Sequence, residues 1–189
     1  MTGRLVIGVT GASAPHYAHR LLEVLAERPE VETHLVVSRG ARRTLTEEIG
    51  LSIAEFGRAA DVVHNPDDLG ASIASGSFAT LGMAVVPCSV KSLGQIAAGI
   101  GSDLLSRAAD VTLKERRRLV LAVRETPLSL IHLRNMTTVT EAGAIVMPPV
   151  PAFYHHPRSL QDVIDHTVGR ILEQFGIDHD LYTRWGETT

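Results

Sequence analysis

"RLVIGVTGASAPHYAHRLLEVLAER", residues 4–28, decides the fold class. Its first six residues are a β-rich apolar run ending in a glycine turn, and from His16 onward Tyr17, Leu21, Leu22, Val24 and Leu25 fall mostly along one helical face. The reading is strand, turn, helix. The same order recurs in "ETHLVV" before "SRGARRTLTEEIG" and in "GMAVVP" before "CSVKSLGQIAAGIG". It returns in "RRLVLAV", which leads through "RETPL" into "SLIHLRNMTTVTEAG" and is followed by "AIVMPP". Strands alternating with helices predict a parallel sheet covered on both faces, a three-layer α/β fold.

Two stretches stand outside this rhythm. Between Leu51 and Thr80, "HNPDDLGASIASGSF" mixes turn residues with small ones and reads as a loop that lines something. In "HHPRSLQDVIDHTVGRILEQFG" an amphipathic helix runs from Leu160 to Phe175, with Ser159 as its N-cap and Gly176 at its stop. The terminal "YTRWGETT" is expected to fray.

At 189 residues and 44% hydrophobic, the chain buries one sizeable core, so residues 1–189 are read as a single domain. A formal charge of −3 with acids and bases interleaved gives no case for nucleic acid, and no polybasic run marks a membrane surface. The lone cysteine, Cys88, forms no intramolecular disulfide, and the apolar stretch near the N-terminus is too short for a signal peptide or spanning helix. A cytoplasmic location is the expectation.

In open parallel sheets, ligands bind where strand ends lead into helix N-termini that carry free N–H groups. Four predicted strands end in suitable chemistry: Thr10, Gly11, Ala12 and Ser13; Ser38; Cys88, Ser89, Val90, Lys91 and Ser92; and Arg124 with Glu125. Small or hydroxylic residues let a phosphate approach the backbone, while Lys91 and Arg124 supply charge. Any one such loop is ordinary turn chemistry, but four on one edge point to a phosphorylated cofactor. "TGAS" is not G-x-G-x-x-G, so short loops for flavin mononucleotide (FMN) fit better than a dinucleotide fingerprint.

Charged residues in apolar company extend the list. On a helix, Arg107 and Lys114 share a face about 10.5 Å apart along the axis. There they either grip a second phosphate or form a solvated basic surface. Arg116, Arg117 and Arg118 fit the solvated description. "PPVPAFYHHP" (148–157) is a proline-stiffened loop that holds Phe153 and Tyr154, and a tyrosine so placed can donate to a substrate oxyanion. Arg170, inside the last helix, reaches the same place or lies on the surface. His155 and His156 are adjacent, without the further ligands a metal needs. Cys88 is either a nucleophile or a small packed residue, and no activating histidine stands beside it in sequence.

The stretches "GVTGAS", "SGSF", "VVPCSVKSL", "RAADVTLKERRRLVLAVRETPLSLIHLRNM", "GAIVMPPVPAFYHHP" and "RILEQFGI" run in order over nearly the whole chain. In them the sequence resembles the UbiX-type flavin prenyltransferases, in particular the B subunits associated with hydroxyarylic acid decarboxylases. The resemblance implies a flavodoxin-like, Rossmann-like subunit in a dodecamer whose active sites are shared between subunits. It implies transfer of a dimethylallyl group from dimethylallyl monophosphate to reduced FMN, the prenylated FMN passing to a UbiD-type decarboxylase. By the same resemblance, FMN contacts fall on Gly11, Ala12, Ser13, Ser38, Ser89, Val90, Lys91, Ser92 and Arg124. The prenyl phosphate site falls on Arg107, Lys114, Tyr154 and Arg170, with Glu125 and Ser13 as acid/base groups and no metal required.

The chain also departs from the family pattern. Ala14 and Pro15 follow "TGAS" where the family usually has glycine and alanine, and Leu69 stands where some members carry tryptophan. Two other functions fit the residues less well. An FMN-dependent cysteine decarboxylase would have a histidine between Asp67 and Cys88 and an asparagine in the "PCSVKS" loop. A non-catalytic flavin carrier would have no use for a second phosphate site.

Overall fold

The computed structural model describes residues 3–186. Six strands form one all-parallel sheet: β1 Gly3–Val9, β2 Val31–Val37, β3 Val62–His64, β4 Gly82–Cys88, β5 Arg118–Val123 and β6 Ile145–Val146. Their order is β3-β2-β1-β4-β5-β6, that of a doubly wound Rossmann sheet. Order reverses between β1 and β4. There the connections leaving the two strands diverge to opposite faces and leave a crevice at the carboxyl edge.

The long helices are α1 His16–Ala26, α4 Val90–Ala97, α5 Leu104–Lys114, α6 Leu130–Glu141 and α7 Leu160–Gln174. Between α1 and α4 lie the short α2 Ala41–Thr44, which runs into a wider π-type turn at Leu45–Ile49, and α3 Ile53–Phe56. Period-two alternation in β1 sorts the layers. Leu5, Ile7 and Val9 pack with Leu21, Leu22, Phe56, Val168 and Leu172 on one face. On the other face, Val6 packs with Met83, Val85, Leu93, Leu105 and Ala109. The three-layer α/β expectation holds, with α1 and α7 over one face and α4, α5 and α6 over the other.

Local chemistry explains where the helices start. Ser89, Asp103, Ser129 and Ser159 are extended residues whose side chains accept the N–H three positions on. Gly176, at φ +68°, follows the end of α7 in the left-handed region that glycine tolerates.

Three expectations need correction. The stretch from 51 to 80 is not one loop: it contains α3, the edge strand β3 and a buried Ile73 in a short 3-10 turn. Two valines among polar residues carry no readable alternation, and β3 is held from outside by Asp61. That carboxylate accepts from the N–H and hydroxyl of Thr33 at 2.7 and 2.8 Å. Second, Arg117 is not merely solvated. Its guanidinium donates to the carbonyls of Phe78 and Gly76 at 2.7 and 2.6 Å, tying down the "SGSF" turn. Third, the tail does not fray at its start, because the Tyr182 hydroxyl donates to Glu173 at 2.7 Å and Trp185 packs edge-on to Tyr154. Residues 187–189 of that stretch lie outside the described residues.

Candidate active site

The crevice at the β1/β4 reversal is stitched by Thr10, fully buried at the end of β1. Its hydroxyl donates to the Pro87 carbonyl at 2.7 Å and accepts the Ser89 N–H at 2.7 Å. The loop after β1 thereby stays in register with the loop after β4. Gly11 follows, crossed by the backbone after β2: a Cβ there would lie 2.8 Å from both the carbonyl carbon and oxygen of Gly40. Backbone cannot yield as a flexible side chain does, so glycine is required.

Ser13 and Ala14 share one anchor. Oε2 of Glu48 accepts from the Ser13 hydroxyl at 3.0 Å and from the Ala14 N–H at 2.8 Å. Ala14 adopts φ +72°, and Pro15 behind it leads into α1. At α4, the Ser89 hydroxyl is spent as N-cap on Ser92, whose N–H it accepts at 3.3 Å. The amides of Val90 and Lys91 are free of intrahelical partners, as in the first turn of any helix.

These loops enclose a hollow of about 400 Å³ lined by Gly11, Ala12, Ser13, Ser38, Gly40, Ser89, Val90, Lys91, Ser92, Asp103, Arg124 and Glu125. All nine positions expected to contact FMN are among them, and so is Glu125. Neither Lys91 nor Arg124 has an ion-pair partner among the described residues. The hollow therefore offers two cations without a direct ion-pair partner, beside the carboxylates of Asp103 and Glu125, together with hydroxyls and helix-terminal amides, a donor set suited to an alkyl phosphate and a ribityl chain. Of Glu125, one oxygen accepts the Thr126 N–H at 3.0 Å. A larger, open hollow of about 1020 Å³ lies beyond β2 and β3, among Arg39, Arg42, Arg58 and His64. It contains none of the strand-end residues, so the smaller one is where the chemistry collects.

The other four expected residues do not line that hollow within one chain. Arg107 and Lys114 do share a face of α5, turned toward the 74–76 turn: Arg107 Nε donates to the Ala74 carbonyl at 3.3 Å. Arg107 also pairs with Asp110 at 2.7 Å, and Lys114 pairs with Glu115. Tyr154 and Arg170 form a third group over α7. The Tyr154 hydroxyl lies 3.0 Å from Nε2 of His166, one helical turn before Arg170, which pairs with Glu173. Phe153 is exposed rather than packed.

Sequence reasoning missed Gly40, Asp103 and Glu48. Asp103 lines the hollow while capping α5, its carboxylate accepting the Ser106 N–H at 2.8 Å. Glu48 stands 35 residues from Ser13 in a turn of unexceptional composition, and no local signal points to it. Cys88 is fully buried, and burial pushes its thiol up to about 12, so it is protonated and inert near neutrality. Among the described residues no group of three or more His, Cys, Asp or Glu is arranged to hold a metal ion.

A phosphate-cradling crevice at the switch point of a doubly wound sheet defines a flavin-binding class of protein, and a family model described as Flavoprotein matches residues 2–172. Within that class, the chain belongs to the UbiX-type flavin prenyltransferase family. It is 56% identical over 184 residues to flavin prenyltransferase UbiX of Escherichia coli strain K12, covering 96% of this chain and 97% of that protein. The crystal structure of AnUbiX in complex with FMN and dimethylallyl pyrophosphate superposes over 100% of both chains, with 49% identity and a TM-score of 0.96. A dodecameric FMN-dependent UbiX-like decarboxylase from Escherichia coli O157:H7 matches with 48% identity and a TM-score of 0.95, over 97% of this chain and 100% of that one.

Proposed function

We propose that the chain is a single flavin prenyltransferase domain over residues 1–189, which transfers the dimethylallyl group of dimethylallyl monophosphate to reduced FMN. The observation that carries this reading is the convergence of nine strand-end positions and Glu125 on one hollow holding two unpaired cations. Reduced FMN, when bound, supplies the electron-rich ring that accepts the allyl group. The chain supplies the rest. Lys91, Arg124 and the amides of Val90 and Lys91 hold the flavin phosphate, and Gly11, Ala12, Ser13, Ser38, Ser89 and Ser92 shape the cradle.

Cleavage of the allylic carbon–oxygen bond places negative charge on the departing phosphate. Arg107, Lys114, Arg170 and the Tyr154 hydroxyl are the groups that stabilise it. Glu125, at the rim of the cradle, moves the proton released as the new ring closes. Ser13, its hydroxyl donating a hydrogen bond to Glu48, presents oxygen lone pairs on the same hollow and assists that transfer.

The cradle, the Arg107 and Lys114 pair and the Tyr154 and Arg170 pair are separate within one chain. A homo-oligomer, a dodecamer like the Escherichia coli relative, brings them together. The prenylated product passes to a UbiD-type decarboxylase in the cytoplasm. No helix among the described residues is long and apolar enough to cross a membrane.

The test is anaerobic incubation of the purified protein with reduced FMN and dimethylallyl monophosphate, followed by mass spectrometry of the extracted flavin. A prenyl mass addition is expected, and bound FMN without it would establish a carrier instead. Glu125→Gln is expected to slow product formation by about 100-fold, the scale of a lost acid/base group. FMN affinity should stay within about twofold, and equal loss of both would remove Glu125 from proton transfer.

A further inference from the structure

Over α7 lies a ring cluster that the proposed chemistry does not use. His166 is only 8% exposed, and its ring lies 4.7 Å from that of His155 at an interplanar angle of 6°. Tyr182 closes the other side with ring centroids 4.5 Å apart. His155 makes no hydrogen bond through either ring nitrogen, so it fixes the His166 plane by stacking alone. With the plane fixed, Nε2 of His166 points at the Tyr154 hydroxyl, 3.0 Å away. Arg170 lies one turn further along α7 on the same face.

A phenol carries one proton and can accept as well as donate. If Nε2 of His166 is bare, it takes the Tyr154 proton, and the phenol turns only lone pairs toward an incoming phosphate. When Nε2 carries the proton, it donates to the phenolic oxygen, and the Tyr154 O–H is free to donate outward. We infer that His166 is a positioning residue for the prenyl phosphate: as the Nε2–H tautomer it occupies the acceptor side of Tyr154 and aims that hydroxyl at the leaving group. The inference rests on Tyr154 being a prenyl-phosphate residue. A neutral ring suits the surroundings, since burial, then His155 and Arg170, hold His166 below the usual histidine range against the opposing pull of Glu173. The tautomer rather than an added charge therefore sets the direction.

The experiment is steady-state prenylation at saturating reduced FMN, with dimethylallyl monophosphate varied, for the wild type, Tyr154→Phe, His166→Phe, His166→Gln and the double Phe variant. Tyr154→Phe and His166→Phe are each expected to lower kcat/KM for the donor by about 10-fold or more, as for a lost hydrogen bond to a charged group. FMN affinity should be unchanged. His166→Gln, whose amide donates from a similar position, is expected to recover most of the loss, and the double variant to be no worse than Tyr154→Phe alone.

Losses that multiply in the double variant, or a His166→Phe variant equal to wild type while Tyr154→Phe is impaired, overturn the inference and leave Tyr154 in place. A Tyr154→Phe variant equal to wild type overturns the reading of Tyr154 itself. Nitrogen-15 NMR of histidine-labelled wild type with donor bound gives a check that needs no substitution. A protonated Nε2 on His166 is expected, and a bare one sinks the proposal.

Discussion

Single residues carry much of the cradle's precision. Gly11 meets Gly40 backbone to backbone, so Gly11→Ala forces the loops after β1 and β2 apart. Overpacking of this kind costs about 1–3 kcal/mol, and FMN affinity is expected to fall by about 10- to 100-fold in a fluorescence titration. Ala14 shows the opposite case. It holds φ +72°, where a side chain is strained and glycine is not. Ala14→Gly should raise stability by about 1 kcal/mol, seen as a higher urea midpoint at unchanged m-value. Cys88, buried and with its thiol raised to about 12, should resist alkylation by iodoacetamide in the native protein at pH 7.5 and react only on unfolding. Modification of the folded chain would return Cys88 to the list of nucleophiles.

At the level of elements, β2 and β3 are joined by more than backbone. Nδ1 of His34 and Nε2 of His64 lie 2.9 Å apart, with Phe78 edge-on to His34. Burial is the main reason both rings sit below the usual histidine range, so the folded state favours their neutral forms. The unfolded chain therefore binds protons first as pH falls, and stability is complete above the unfolded value of about 6.5 and lost below it. Thermal unfolding from pH 8 to 5 should show that loss. His34→Gln should flatten the slope in the window just below pH 6.5, by at most about 1.4 kcal/mol per pH unit for one proton. An unaltered slope would place the proton uptake elsewhere. α5 fits its place for a different reason: Arg107 and Lys114 lie one face apart from its buried Leu104, Leu105, Ala108 and Ala109, so one short helix both packs the sheet and presents cations.

For the whole molecule, the separation of the three side-chain groups within a chain has a testable consequence. If neighbouring copies complete each other's sites, an assembly mixed from Lys114→Ala and Glu125→Gln chains should prenylate FMN well above the rate of either variant alone. No recovery after refolding the two together would confine each site to one chain.

What the sequence by itself determined was local in origin. Switching from strand to helix periodicity established a layered parallel α/β fold. The hydroxyls, glycine and cations just past each strand end marked the edge proposed to take a phosphate, because a ligand there would be met by the first residues after a strand. Edge strand β3 stayed illegible, since three residues give no period to read. Only the tertiary structure decided the order β3-β2-β1-β4-β5-β6, which turns four separate loops into one hollow. It alone set Glu48 against Ser13 and His166 against Tyr154. Those pairings span 35 and 12 residues and are fixed by how helices dock on the sheet, a matter of packing that no neighbouring residue announces.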